Sequence, residues 1–223
     1  MIQQPFRLVM IAVLAVNWLH AQPATTPPES AANRFMHRAD FDQLVTRFED
    51  PSRAQWQKPD LVIASLGPLE GKTVADIGTG SGYFAFPIAK KAAKVIAIDI
   101  DQRFLDYITH KKQMQNVGAN IETRMTVPDS PALKTDEADV VLIVDTLHHI
   151  GNRIEYLKKL RNDLRKGGVL VIVDFKKEKT PPGPRVELRL SQEQVESELK
   201  SGGFTVVSAD PDLLPYQYII KAQ

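Results

Sequence analysis

The chain of 223 residues holds 28 Lys plus Arg, 27 Asp plus Glu, 12 Gly, 15 Pro and no Cys, with 43% hydrophobic and 25% charged residues; this is the composition of one ordinary globular domain and excludes disorder and collagen-like repeats. Without cysteine there is no disulfide framework, thiolate zinc, iron-sulfur ligation, cysteine nucleophile or acylated-cysteine anchor. Residues 1–21 carry Arg7 and no acid, so the remainder is balanced at 27 bases and 27 acids, which offers no electrostatic reason to expect nucleic acid as a partner.

Residues 8–19 (LVMIAVLAVNWL) are an apolar run of twelve after a mildly cationic start. A spanning helix needs about 20 apolar residues, whereas a secretory signal needs roughly 7 to 15. The reading is a signal peptide over 1–21, cleaved after Ala21 and exporting the protein, with an uncleaved membrane anchor as the alternative. Residues 22–33 (QPATTPPESAAN) contain one charge and no large apolar residue, as a flexible linker does.

Covering helices are predicted over 34–48 and 59–66, the latter with Pro59 at its start and Gly67 at its end. The main α/β unit is then expected over 67–223. Apolar runs predict strands over 73–77, 94–100, 121–125, 138–145 and 169–175, alternating with helices over 83–91, 102–117 and 153–164. Strands apolar on both faces belong inside parallel sheets. A helix over 191–201 opens on a Ser-x-x-Gln capping pattern, and strands over 204–209 and 216–221 are too close for a helix between them. The expectation is a doubly wound, mostly parallel seven-stranded α/β sheet closed by an antiparallel hairpin, with its ligand at the carboxyl ends of the strands.

Directly after the first strand stands Asp76-Ile77-Gly78-Thr79-Gly80-Ser81-Gly82. Glycines let a backbone turn tightly and approach a ligand, and the following helix offers free N–H groups. A dinucleotide-binding loop would need glycine at 83, where the chain has Tyr83. An acid followed by Gly78, Gly80 and Gly82 at every second position resembles the first motif of class I S-adenosylmethionine-dependent methyltransferases. The resemblance covers residues 60–221 and implies a Rossmann-like fold, S-adenosylmethionine as cofactor and a loop that wraps its amino acid moiety. Asp76, Gly78, Thr79, Gly80 and Gly82 are therefore cofactor-binding candidates. Asp99, 23 positions after Asp76 at the end of the second strand, is implied to accept both ribose hydroxyls, with Ile100 packing on adenine and Asp101 capping the next helix. Asp129, in the loop after the third strand, is the candidate for the adenine amino group.

At the end of the fourth strand Asp145-Thr146-Leu147-His148-His149 occupies the position that, in this family, faces the transferred methyl group. It departs from the Asn- or Asp-Pro-Pro-Tyr motif of amino-directed nucleic-acid enzymes and is similar to small-molecule C- and O-methyltransferases. Asp145, His148 and His149 are the catalytic candidates, either histidine as general base; the alternative is that both cap the strand and pack on the cofactor. No metal ligand set is expected. Residues 49–60 (EDPSRAQWQKPD) are placed as a lid, with Arg53, Trp56 and Gln57 as candidate lining residues, and 176–185 (KKEKTPPGPR) as a basic loop at the substrate entrance. The acceptor is expected to be a small or lipid-like molecule. The competing functions are an exported binding protein of this fold without turnover and a nicotinamide-dependent oxidoreductase.

Overall fold

The structure, a computed structural model, describes Asn33, Met36 and residues 39–223. The predicted signal peptide, and the linker apart from Asn33, lie outside the described residues. Strands β1 (Thr73–Ile77), β2 (Lys94–Asp99), β3 (Ile121–Met125), β4 (Ala138–Val144), β5 (Leu164–Phe175), β6 (Val206–Asp210) and β7 (Gln217–Ala222) form one sheet in the order β3-β2-β1-β4-β5-β7-β6. The first five pair in parallel, whereas β7 runs antiparallel to both β5 and β6. This is the doubly wound sheet with a closing hairpin that the alternation of elements predicts.

Apolar residues on both strand faces explain the layers. In β4, Val140, Leu142 and Val144 belong to one core and Val141 and Ile143 to the other, and in β5 Val171 and Val173 separate from Leu170 and Ile172 in the same way. Helices α1 (Phe41–Phe48), α2 (Arg53–Gln57), α3 (Pro59–Ser65), α4 (Ala85–Ala89), α5 (Gln102–Gln115), α6 (Arg153–Asp163) and α7 (Gln192–Ser201) are the α-helices within residues 39–223. Tyr156, Leu157 and Leu160 of α6 and Val195 and Leu199 of α7 fill one core, while Val62 and Ile63 of α3, Ala85 and Ile88 of α4 and Ile108 of α5 fill the other. Removing such strands from water on both sides is the main stabilising term, at roughly 25 cal/mol for each Å² of apolar surface.

Local signals act where the sequence places them. Ser191 Oγ accepts from the Gln194 amide at 3.2 Å and Asp101 Oδ1 from the Arg103 amide at 3.0 Å, so each helix begins on a side-chain cap. Three elements differ from the prediction. The helix after the glycine loop is limited to Ala85–Ala89, because residues 81–84 remain in turns. β5 starts at Leu164, and an irregular register between Ala138 and Val140 absorbs the Gly167-Gly168 turn. The short helix α2 lies inside the stretch read as a lid.

Parallel strands bring Ile77, Asp99, Met125, Val144 and Phe175 to one edge of the sheet, and the chain order reverses there between β1 and β4. Antiparallel β7 adds its first residue to the same edge, with Gln217 opposite Phe175.

Candidate active site

A cavity of about 570 Å³ opens at this edge, within the size range of small-molecule sites. Gly78, Thr79, Gly80, Ser81, Asp99 and Ile100 form one side of its wall, and Asp145, His148 and His149 belong to the other. Three candidates lie outside the wall. The carboxylate of Asp76 is buried beneath the loop and accepts from Thr79 Oγ1 at 2.8 Å; burial pushes it up to about 6. Gly82 faces the core, where an added Cβ would lie 3.0 Å from Phe86 and 3.1 Å from Ile108. Asp129 is held by its carbonyl, which accepts from Lys159 Nζ at 3.0 Å, and its loop lines the cavity instead with Thr126, Val127, Pro128 and Ser130.

The glycine loop is tied to β2. The amides of Gly78 and Thr79 donate to the Ile98 carbonyl at 2.8 and 3.0 Å, and that of Gly80 donates to Asp99 Oδ2 at 2.9 Å. Asp99 Oδ1 accepts from the Asp101 amide at 3.0 Å. Burial pushes Asp99 up to about 6, against these donors. A carboxylate has about four lone-pair sites, so Asp99 retains capacity for two hydroxyl donors. Ser81 Oγ is buried without a hydrogen-bond partner among the described residues. Free acceptor capacity and an orphaned hydroxyl beside a glycine loop fit a nucleoside bearing an amino acid group.

Gly78 requires its glycine twice over. Its φ is +73°, and an added Cβ would meet Thr146 Oγ1 at 2.1 Å, Cγ2 at 2.5 Å and Cβ at 2.7 Å, so no rotation of that side chain relieves the overlap. Gly78→Ala is expected to lower stability by at least about 2 kcal/mol, a fall of roughly 4 to 8 °C in Tm, and to weaken cofactor binding; thermal unfolding with and without the cofactor checks both.

At the end of β4, Asp145 adopts φ +50° and its amide donates to the Val173 carbonyl at 2.9 Å. Its Oδ2 accepts from Gln57 Nε2 at 3.0 Å and its Oδ1 from Gln217 Nε2 at 2.5 Å. The two amides join at 3.2 Å, so one buried cluster fastens α2, β4 and β7 together. Burial, with Asp174 nearby, raises Asp145 to about 6. Neither glutamine had a sequence signal, since their relation to Asp145 spans 88 and 72 positions.

The following 3-10 turn, Leu147–His149, separates the two histidines. His148 Nδ1 lies 3.0 and 3.1 Å from the two oxygens of Asp174, and their side chains are only 3% and 0% exposed. Burial works against charge on His148, yet Asp174 outweighs it and the net direction is upward. His149 is the reverse case: burial, reinforced by His148, pulls it down to about 3, and its Nδ1 bonds to Asn33 Oδ1 at 2.8 Å. Asn33, at the end of the expected linker, is thus buried at the site. Asp174 went unnoticed in the sequence, although an acid inside the run VLVIVDF was a usable signal.

The lid stretch supplies Arg53 and Trp56 to the wall, while Gln57 is buried behind it. Arg53 lies 4.1 Å over the Tyr83 ring and donates to the Phe48 carbonyl at 3.0 Å, and Trp56 packs 5.6 Å from Phe175. Phe48 stacks on Phe104 at 5.5 Å and lies close over Gly80.

Comparison with known proteins agrees with this geometry. Residues 75–172 match the family described as "Methyltransferase domain". A ubiquinone biosynthesis O-methyltransferase of Roseobacter denitrificans is 33% identical over 113 residues, 50% of this chain and 44% of that protein. A tRNA U34 carboxymethyltransferase of Shewanella halifaxensis is 33% identical over 122 residues, 54% of this chain and 36% of that protein. The match spans less than half the length of these curated relatives. A SAM-dependent methyltransferase from Aquifex aeolicus has a TM-score of 0.76 at 26% identity, covering 83% of this chain and 98% of that one. The [4+2]-cyclase SpnF shares the fold, with a TM-score of 0.62 at 18% identity over 69% of this chain and 58% of its own.

Sheet order, glycine loop and the acid closing β2 define a Rossmann-like methyltransferase fold. Residues 75–172 form a methyltransferase domain of the class I S-adenosylmethionine-dependent kind, and S-adenosylmethionine is its cofactor.

Proposed function

We propose that the protein methylates a hydroxyl oxygen of a small acceptor, with His148 as the base that takes the hydroxyl proton. The observation that carries this reading is His148 on the cavity wall, held from behind by the buried Asp174. S-adenosylmethionine supplies an electrophilic methyl group that is already activated, so the chain has to align the acceptor and remove its proton. Asp174 holds Nδ1 of His148 and favours the tautomer with the proton there, which leaves the Nε2 lone pair to accept. Nε2 has no hydrogen bond among the described residues. His149 is too weak a base to share the task.

The glycine loop, Asp99 and Ile100 are the residues we assign to the cofactor, with Ser81 and Ser130 as additional polar contacts. Asp145 serves to hold α2 and β7 at the cavity floor, since the two glutamine amides take both of its oxygens. The apolar side of the cavity, with Trp56, Tyr156 and Phe175, suits an aromatic or lipid-like acceptor. Incubation of the full chain with methyl-labelled S-adenosylmethionine and a set of phenols and catechols tests the proposal. Label on the phenolic oxygen is the expected product; label on carbon, or no transfer by a chain that binds the cofactor, would contradict it.

A further inference from the structure

The loop that leaves β5 closes the cavity on the side away from the cofactor residues. In the sheet order, β4 and β5 lie on the opposite side of β1 from β2 and β3. Residues 176–185 contain Lys176, Lys177, Lys179 and Arg185 against the single acid Glu178. Pro182, Gly183, Pro184 and Arg185 line the cavity.

This loop is held rigidly although it has no regular structure. Arg189, 3% exposed, donates to the carbonyls of Pro184 (2.8 Å), Lys176 (3.1 Å), Glu178 (2.7 Å) and Pro182 (3.3 Å) and to Thr180 Oγ1 (2.7 Å). Its guanidinium lies 4.9 Å over the Phe175 ring. Gly183, at φ +104°, sits so close to that ring that an added Cβ would be 2.7 Å from it. A buried arginine satisfied by one loop's carbonyls freezes that loop, so little entropy remains to be lost when its end meets a ligand.

Arg185 stands at the end of this fixed loop, exposed at the cavity rim, and forms no ion pair with the described residues. The carboxylates of the wall are already engaged, Asp99 by backbone amides, Asp101 by Arg103 and Asp145 by two glutamines, and Asp174 behind the wall is engaged by His148. Of the other two arginines that line the cavity, Arg47 belongs to the glycine-loop side, 5.3 Å over the Phe48 ring that covers Gly80, and Arg53 is committed to Gln57, to the Phe48 carbonyl and to the Tyr83 ring. Arg185 is therefore a preorganised cation on the acceptor side, in a loop whose remaining charge has the same sign.

We infer that the acceptor carries an anionic substituent of carboxylate type, remote from its reacting hydroxyl, and that Arg185 receives it as a specificity-determining residue. The inference rests on the methyl-transfer reading above. Arginine suits this role because its planar fork meets a carboxylate with two parallel hydrogen bonds.

The test is calorimetric titration of the full chain, loaded with S-adenosylhomocysteine, with caffeate and with its neutral methyl ester. Caffeate is expected to bind about tenfold more tightly than the ester, a preference that shrinks as salt is raised. In Arg185→Gln the two ligands should come within about twofold of each other, with affinity for S-adenosylhomocysteine unchanged. Equal binding in the unmodified chain, a preference that survives in Arg185→Gln, or no binding of either phenol to the loaded chain would overturn the inference. A chain that fails to take up S-adenosylhomocysteine would instead remove the reading beneath it.

Discussion

His148→Gln lowers kcat by about 100- to 10,000-fold and leaves cofactor affinity within about twofold, because glutamine can still bond to Asp174 but cannot take a proton at neutral pH. The pH profile distinguishes this from simple misplacement. The proposed base would work in its neutral form, and Asp174 raises His148 above its ordinary 6.5 despite burial. The rate in the unmodified chain should therefore increase with pH through a midpoint above 6.5 and level off once His148 has lost its proton. In the variant that acidic limb should disappear. Single-turnover rates with a phenolic acceptor, measured from about pH 5 to 9, read both effects. A variant that keeps most of its rate and the same limb would assign the proton to another group.

The second large effect is on the cofactor. Asp99→Ala should weaken binding of S-adenosylmethionine by about 10- to 100-fold. The carboxylate is the group we propose for the ribose, and it also holds the glycine loop, because its two oxygens accept from the amides of Gly80 and Asp101. Asp99→Asn keeps one acceptor oxygen and should lose less. Titration calorimetry of both variants checks the order, and unchanged affinity in Asp99→Ala would remove this residue from the site.

Features that depend on neighbours in sequence were legible, and those that depend on the closing of the sheet were not. The apolar runs, the Ser191 cap and the Gly78-x-Gly80 loop after β1 act over a few residues, so pattern and chemistry identify them directly. Asp99 was legible because the fold puts the end of β2 beside the loop. Asp76 and Gly82 belong to the same motif, yet they support the loop from beneath and do not face the cavity. Spacing alone cannot distinguish a residue that touches a ligand from one that shapes the turn.

The acceptor side is built from long-range partners. Gln57 and Gln217 lie in different elements and meet only because antiparallel β7 begins at the carboxyl edge of β5. Asp174 is 26 positions from His148, and nothing local singles out which histidine it will hold. That pairing separates two adjacent, equivalent candidates, raising His148 while His149 is pulled down. Arg189 was likewise invisible, being one of several arginines until burial and its carbonyl partners set it apart.

The most direct measurement is a structure of the full chain bound to S-adenosylhomocysteine and a phenolic acceptor. The acceptor hydroxyl is expected about 3 Å from His148 Nε2, with Asp174 still on Nδ1. An acceptor bound with its hydroxyl facing away from His148, or with His148 turned out of the cavity, would contradict it.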